Sequence, residues 1–378
     1  MNMESYVYKP LDLSSDAIRV LRLNHDPFFD NEIQCELIET YLGDVPYEAL
    51  SYTWGSMDKP LKITVDASEL HVTENLYTAL QYLRLPYEDR LIWVDAVCIN
   101  QDNNEERGHQ VGQMRLVYKM AEGVLIWLGN GDVHIDHFFE AMNDRRFKEM
   151  TMAGSKAEGI KFDTEFSAEF CLEIQETFSK LMARPWFRRV WILQEVATSR
   201  KATVMCGRVL VSTRIFALVP TIIGFTVQEH CQAVLDIMPG HSRRLSWWSE
   251  RQDLQTLLLK FAASEATDER DKIYALLGIS SDAYNSKELV PNYVKDVQQL
   301  IHDTWSYILF KEVLDPSLHG FPKLNIIEFL QILDRLPQWT LKWSLHEGRD
   351  HIVLRLFGAM GNVGSRKCAG KWALLCGL

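Results

Sequence analysis

Leu91-Ile92-Trp93-Val94-Asp95-Ala96-Val97-Cys98-Ile99 is apolar at every position but one. A strand buried on both faces of a sheet reads this way, because neither face is left for polar side chains. The run ends in a polar loop, Asn100 to Asn104. After it, Val111, Met114, Tyr118 and Ala121 keep one face of a helix from Glu105 to Ala121. Gly123 to Gly129 (GVLIWLG) then returns to a short buried strand. Strand, helix and strand in that order make a βαβ unit, right-handed by default. The expectation is a central 91–99 strand paired on both sides, with Leu91, Trp93, Val97, Val124 and Ile126 in the core.

Toward the N-terminus, Ile18 to Leu23 alternates like a half-buried strand, Cys35 to Leu42 is a second strand, and Tyr47 to Trp54 a third, closed by Gly55. Lys62 to Val72 reads as a hairpin with Asp66-Ala67-Ser68 near its turn. Thr73 can N-cap a helix whose Leu76, Leu80 and Leu83 share a face until Pro86 ends it. Toward the C-terminus, residues 130–164 form a polar excursion with a short helix near His134 to Asn143. Phe166, Phe170, Ile174, Phe178 and Leu181 then restore helical spacing. Pro185 suits the first turn of a helix from Trp186 to about Ala197. Ala202 to Cys206 and Val209 to Val211, joined at Gly207, give a last hairpin. Beyond Ser212 the texture becomes helical, notably over Asp253 to Ala263 and Asp271 to Leu277. This divides the chain into an α/β domain over 1–212 and a mainly helical region over 213–378. The scattered glycines of Gly358 to Leu378 predict poor order there.

The 378 residues are 47% hydrophobic and 24% charged, a folding composition, and the formal charge of -11 disfavours a phosphate-tracking surface, so nucleic acid is not an expected partner. Seven scattered cysteines without a C-x-x-C predict reduced thiols in a cell, with no disulfide. No run reaches the ~18 apolar residues of a membrane span, and the first residues lack a basic and apolar leader. A soluble, cytoplasmic protein is expected. The Walker A, G-x-S-x-G, HExxH and EF-hand patterns are missing. His134, Asp136 and His137 are neighbours in a polar stretch, where histidines are ordinarily solvated, so no metal is expected. Gly358, Gly361 and Gly364 have the wrong spacing for a dinucleotide loop.

Three segments are denser in aromatic and charged residues than packing requires: Tyr47-Glu48-Ala49-Leu50-Ser51-Tyr52-Thr53-Trp54-Gly55; Trp93 to Gln101 with Glu105 and Arg107; and Arg184-Pro185-Trp186-Phe187-Arg188-Arg189-Val190-Trp191-Ile192-Leu193-Gln194-Glu195. Together they resemble the fungal heterokaryon-incompatibility (HET) domain, from about Tyr8 to Val211. The resemblance continues more weakly through Asp268 to Gly278 and Pro291-Asn292-Tyr293, where Asn292 replaces an expected acidic residue. It implies a protein that triggers cell death after non-self recognition. It also implies a distantly TIR-like, flavodoxin-like α/β fold: a mostly parallel sheet with flanking helices and added β-hairpins, then a mainly helical C-terminal extension.

TIR domains with glycohydrolase activity carry a buried strand ending near an acidic residue, a helix, a short buried strand, and later a Trp-x-x-x-Glu helix whose Glu is catalytic. The same order here runs through Leu91 to Asp95, Glu105 to Met120, Val124 to Leu128 and Trp191 to Glu195. The resemblance thus implies NAD or a related nucleotide as substrate rather than cofactor, Glu195 as the catalytic carboxylate, and Trp191, Asp95, Tyr52, Trp54 and Arg188 around the substrate. The chemistry suits one carboxylate: nicotinamide leaves as a neutral molecule without a general acid, and the enzyme stabilises an oxocarbenium-like ribose. Trp191 and Glu195, four apart, would share a helical face at the lip of a solvent-reachable cleft with Asp95 or Tyr52 and Trp54. Each residue also has a packing role to weigh: Glu195 paired to Arg188 or Arg189, Asp95 to Arg107, Tyr52 and Trp54 as core, Glu105 and Arg107 as helix-start charges, Cys98 as an inert thiol in a strand. Two other functions compete with the enzyme: a non-catalytic module that signals by homotypic assembly, hence a homo-oligomer, and a specialised-metabolism enzyme on the same fold.

Overall fold

The apolar runs of the first half assemble into one sheet. The computed structural model describes residues 4–56, 58–144, 147–148, 168–313 and 323–335. Among these, nine strands are β1 (Ala17–Leu23), β2 (Gln34–Tyr41), β3 (Glu48–Ser51), β4 (Leu61–Val65), β5 (Ser68–Val72), β6 (Arg90–Trp93), β7 (Gly123–Trp127), β8 (Ala202–Cys206) and β9 (Val209–Ser212). Their spatial order is β5-β4-β2-β1-β6-β3-β7-β8-β9. The sheet is mixed rather than mostly parallel. β6-β3-β7-β8 is a parallel block, and β2 runs parallel to β4. β1 is antiparallel to both β2 and β6, and the hairpins β4–β5 and β8–β9 are antiparallel. For β1–β2, β4–β5 and β8–β9, the short connections leave no room for the crossover that a parallel pair needs. Counted along the chain, the strands of the parallel block lie second, first, third, fourth.

The stretch 91–99 is central but only half strand. β6 pairs with β1 on one side and β3 on the other. Past Trp93 the backbone coils into a single helical turn, α2 (Asp95–Cys98), with the Val97 and Cys98 N–H groups on the Val94 carbonyl. An apolar run looks alike extended or helical when buried all round. Here the Asp95 carboxylate accepts the Ala96 N–H at 2.7 Å, and the Gln101 amide holds the Asp95 carbonyl at 2.8 Å. Trp93, Val97, Val124 and Ile126 are core residues, while Leu91 is only half-buried. Cys98 is buried as expected, in the turn instead of a strand.

Local signals elsewhere match their sequence. Thr73 caps α1 (Glu74–Leu83) by accepting the Leu76 N–H, and Asp66 and Ala67 adopt left-handed φ of 47° and 63° in the two-residue β4–β5 turn, the geometry of a tight hairpin. Residues 4–6 add one parallel bridge to β5, Ser5 opposite Glu69. β1 is buried on both faces, not one, because Arg19 is buried in an ion pair with Glu106 of α3 (Asn104–Met120). Both carboxylate oxygens are bonded, at 2.6 and 3.1 Å. Arg19 also donates to the Cys98 carbonyl, and Tyr8 to the Val97 carbonyl, so the cluster clamps the back of α2. Glu106 and Gln110 lead the buried face of α3, ahead of Met114, Val117 and Tyr118.

After α4 (Val133–Asn143) and α5 (Ala168–Met182), the expected helix from Trp186 to Ala197 is broken in two. A 3-10 turn, Pro185–Arg188, is followed by an extended Arg189 (φ -66°, ψ 126°), and α6 covers only Ile192–Ala197. The break is imposed from a distance: the Glu265 carbonyl accepts the Val190 N–H at 2.9 Å and the Glu265 N–H donates to the Arg188 carbonyl at 2.6 Å. The chain groups into two compact units, the first holding Met1–Gln252 with Ala263–Ala266 and the second Asp253–Ala262 with the residues from Thr267 on. In the second, α7 (Asp271–Leu277) is bound to the 291–295 segment. Arg270 donates to the Tyr293 and Lys295 carbonyls, Tyr274 to the Asn292 carbonyl, and Tyr293 to the Asp271 carboxylate at 2.6 Å. Phe166, most of the 130–164 excursion beyond Lys148, Cys368, Cys376 and the 358–378 stretch lie outside the described residues.

Candidate functional site

The carboxyl ends of β3 and β6 bring the candidate residues together. β3 ends at Ser51, and Tyr52, Thr53 and Trp54 continue past it to Gly55, whose φ of 74° turns the chain. Asp95 lies two residues beyond β6, at the start of α2. Its Oδ2 accepts the Trp54 indole N–H at 3.0 Å and the Arg189 Nη2 at 3.2 Å. Arg189 Nη1 donates to the Tyr52 carbonyl at 2.5 Å and stands 3.6 Å from Glu195 Oε1. One guanidinium therefore joins Tyr52, Asp95 and Glu195. Beside it, the Asn75 amide donates to the Thr53 carbonyl and accepts the Trp127 indole N–H at 3.0 Å, tying the end of β3 to that of β7.

Glu195 does not face solvent. It is 0% exposed, and neither carboxylate oxygen has a partner in good hydrogen-bond geometry, although the Ser51 hydroxyl and the Arg189 guanidinium lie beside it. The open-cleft expectation is corrected: the short α6 turns Glu195 inward, under Arg189, whose side chain is 21% exposed. Burial pushes the Glu195 carboxyl up to about 7, helped by the Asp95 charge and opposed by Arg189 and the Ser51 hydroxyl. At 3.6 Å and an effective dielectric near 20 the guanidinium attraction is roughly 5 kcal/mol. That equals the several kcal/mol of desolvation a buried ion bears, so the pair does not hold the acid fully ionised. Burial likewise raises the Tyr52 phenol well above its usual range, with the Asp95 charge adding to it, and Tyr118 is raised by burial and then by Glu195. The Tyr52 hydroxyl has no hydrogen-bond partner, whereas Tyr118 donates to the Leu50 carbonyl at 2.9 Å. Burial works against the charge on Arg189, but Glu195 and Asp95 outweigh it and hold the guanidinium above its ordinary value.

Of the residues expected at the site, Asp95, Tyr52, Trp54 and Glu195 converge. Trp191 precedes α6, half-buried, with its carbonyl accepting the Glu195 N–H. Arg188 points elsewhere, exposed and 3.2 Å from Glu265. The guanidinium at the centre is its neighbour Arg189, which the sequence offered only as a packing partner. Ser51 and Trp186, whose indole N–H donates to the Ser51 hydroxyl at 2.9 Å, complete the wall. Their signal was the aromatic density of the first and third segments. Among the described residues no group of three or more His, Cys, Asp or Glu is arranged to hold a metal ion. His134 instead pairs with Glu173, at 2.9 Å. The five described cysteines are buried, and no disulfide joins any two of them.

Residues 47–195, which contain every residue of this cluster, match the family of heterokaryon incompatibility proteins (HET). The chain is 26% identical to heterokaryon incompatibility protein 6, OR allele, of Neurospora crassa, over 91% of its own length. It spans 60% of the length of that relative. No solved structure matches. The matched residues run from the entry to β3 through to Glu195, the span that builds the Asp95, Arg189 and Glu195 cluster, so the likeness to the HET family rests on the stretch that carries the candidate site.

Proposed function

We propose that this protein is an effector of heterokaryon incompatibility that promotes cell death, and that its HET domain does so by cleaving NAD or a related nucleotide at the bond between nicotinamide and ribose. The order second, first, third, fourth in the parallel block agrees with a flavodoxin-like, TIR-like sheet. Such sheets take ligands beyond the carboxyl ends of their strands, where the strand order reverses. In this chain that place adjoins the ends of β3 and β7, beside Trp54 and Asn75. The observation that carries the reading is Glu195: a buried acid with no partner in good hydrogen-bond geometry, poised near 7, in a cluster of perturbed groups. In the reaction the electron pair of the glycosidic C–N bond leaves with nicotinamide, neutralising its ring. Glu195 stabilises the cationic ribose carbon, and water adds its oxygen there and releases a proton.

Complete burial of Glu195 favours a second reading, in which the carboxylate is structural and the domain signals by homotypic assembly. Nicotinamide release by concentrated wild-type protein separates the two. Glu195→Gln keeps the volume and is expected to lower release at least ~100-fold, the scale of losing one preorganised electrostatic group. Wild-type protein that releases none, or a variant as active as wild type, removes the catalytic reading.

A further inference from the structure

Two of the arginine–glutamate pairs, Arg19–Glu106 and Arg189–Glu195, are of opposite quality. Arg19 and Glu106 are joined by two hydrogen bonds, and both are almost fully buried. That is how a permanent ion pair is built, with both oxygens satisfied. Arg189 and Glu195 are not joined by any hydrogen bond. The guanidinium stops 3.6 Å short, remains partly exposed, and leaves both Glu195 oxygens and the Tyr52 hydroxyl without hydrogen-bond partners in a buried site. Two carboxylates, Asp95 and Glu195, face this one cation. Arg189 also sits at the extended joint between the 3-10 turn and α6, where the backbone is held by its own N–H on the Trp186 carbonyl and by Glu265 on either side, so an outward swing is a movement of the side chain alone.

We propose that Arg189 is a displaceable internal plug: its guanidinium occupies the subsite for the flat, delocalised cation of the substrate, and the site opens when Arg189 swings outward. This rests on the nucleotide-cleaving reading above and deepens it. The substrate class becomes nucleotides whose base, while still bonded to the ribose, is a quaternary aromatic cation, because a neutral base would leave the two carboxylates without a counter-charge. Trp54 and the tyrosines Tyr52 and Tyr118 supply apolar walls suited to a planar cation.

The test is Arg189→Ala, with thermal unfolding and calorimetric titration at constant ionic strength, using guanidinium chloride, the ring-methylated nicotinamide cation and neutral nicotinamide as probes. The expected result is that low concentrations of guanidinium restore the melting temperature lost in the variant. The methylated cation should bind the variant at least about tenfold tighter than wild type, since removing an occluded state raises apparent affinity in proportion. Neutral nicotinamide should do neither. Arg189→Lys, which keeps the charge but loses the planar fork, carries the same measurement if the alanine variant does not fold. A variant that binds the methylated cation no better than wild type, or no better than nicotinamide, overturns the plug. Failure of the parent reading looks different: the cation subsite appears in the variant, but neither protein releases nicotinamide from NAD. Cleavage that depends on Glu195 together with no gain of cation binding sinks the plug alone.

Discussion

At the scale of single residues, Glu195 sets an acid against its surroundings, and this has a thermodynamic signature. The group titrates near 7 in the fold and near 4.5 when unfolded. Between those values the folded state holds the extra proton, so Glu195 supports the fold below pH 4.5 and that support is lost as pH rises through 7. Glu195→Gln carries no such titration. Its stability relative to wild type is expected to grow from pH 5 to pH 8 by on the order of 3 kcal/mol, read from urea unfolding of both proteins. Curves that stay parallel across that range would mean the carboxylate is ionised throughout. Ala67 is a second case. It holds a left-handed φ of 63°, which an L-residue with a side chain occupies at a cost of about 1–2 kcal/mol, partly offset for glycine by chain entropy. Ala67→Gly is therefore expected to raise the unfolding free energy by about 0.5 kcal/mol, read as a higher denaturant midpoint.

At the scale of elements, what was readable in the sequence was what local chemistry decides. The Thr73 cap, the Asp66-Ala67 turn, the Gly207 hairpin and the apolar core of β7 all depend on residues a few positions apart. Two failures have a common origin in distant partners. The coil at Asp95–Cys98 depends on Gln101 and on clamping by Tyr8 and Arg19, and the break at Arg189 on Glu265, and no period in the sequence registers either. The site shows the same division. Asp95, Tyr52, Trp54 and Glu195 were readable as a set, because strand ends and a Trp-x-x-x-Glu turn place them. The choice of Arg189 over Arg188 was not, since adjacent arginines are chemically alike and only the non-helical joint decides which one turns inward.

At the scale of the whole first unit, Arg19 and Glu106 join the N-terminal segment, β1, α2 and α3 at one buried point. Removing one partner leaves a buried charge alone. Arg19→Met is expected to destabilise the unit by about 3–5 kcal/mol, whereas Arg19→Met with Glu106→Leu should recover most of the loss, because an apolar pair of similar volume often replaces a buried ion pair at little cost. Additive losses in denaturant unfolding would refute that account. The pair also stands directly behind the turn that carries Asp95. The double variant should therefore leave the fold intact while weakening any ligand binding at the strand ends, measured by titration.

The single bridge between Ser5 and Glu69 has a consequence for how copies of this chain meet. β5 ends the sheet, and an open rim of backbone groups is a template for another strand. Tyr6 N–H and the Glu4 carbonyl already engage the Glu69 backbone at 2.8 Å each. At the opposite rim, the Asn143 amide occupies the Leu210 carbonyl of β9 at 2.7 Å. Strand addition is blunted at both rims, by the 4–6 segment over β5 and by the Asn143 side chain on β9. Tyr6→Pro, which deletes one of the covering donors, is expected to convert a clear solution on warming into one that scatters light and binds an amyloid dye. A variant as quiescent as wild type would show that β5 is guarded by something other than this short cover.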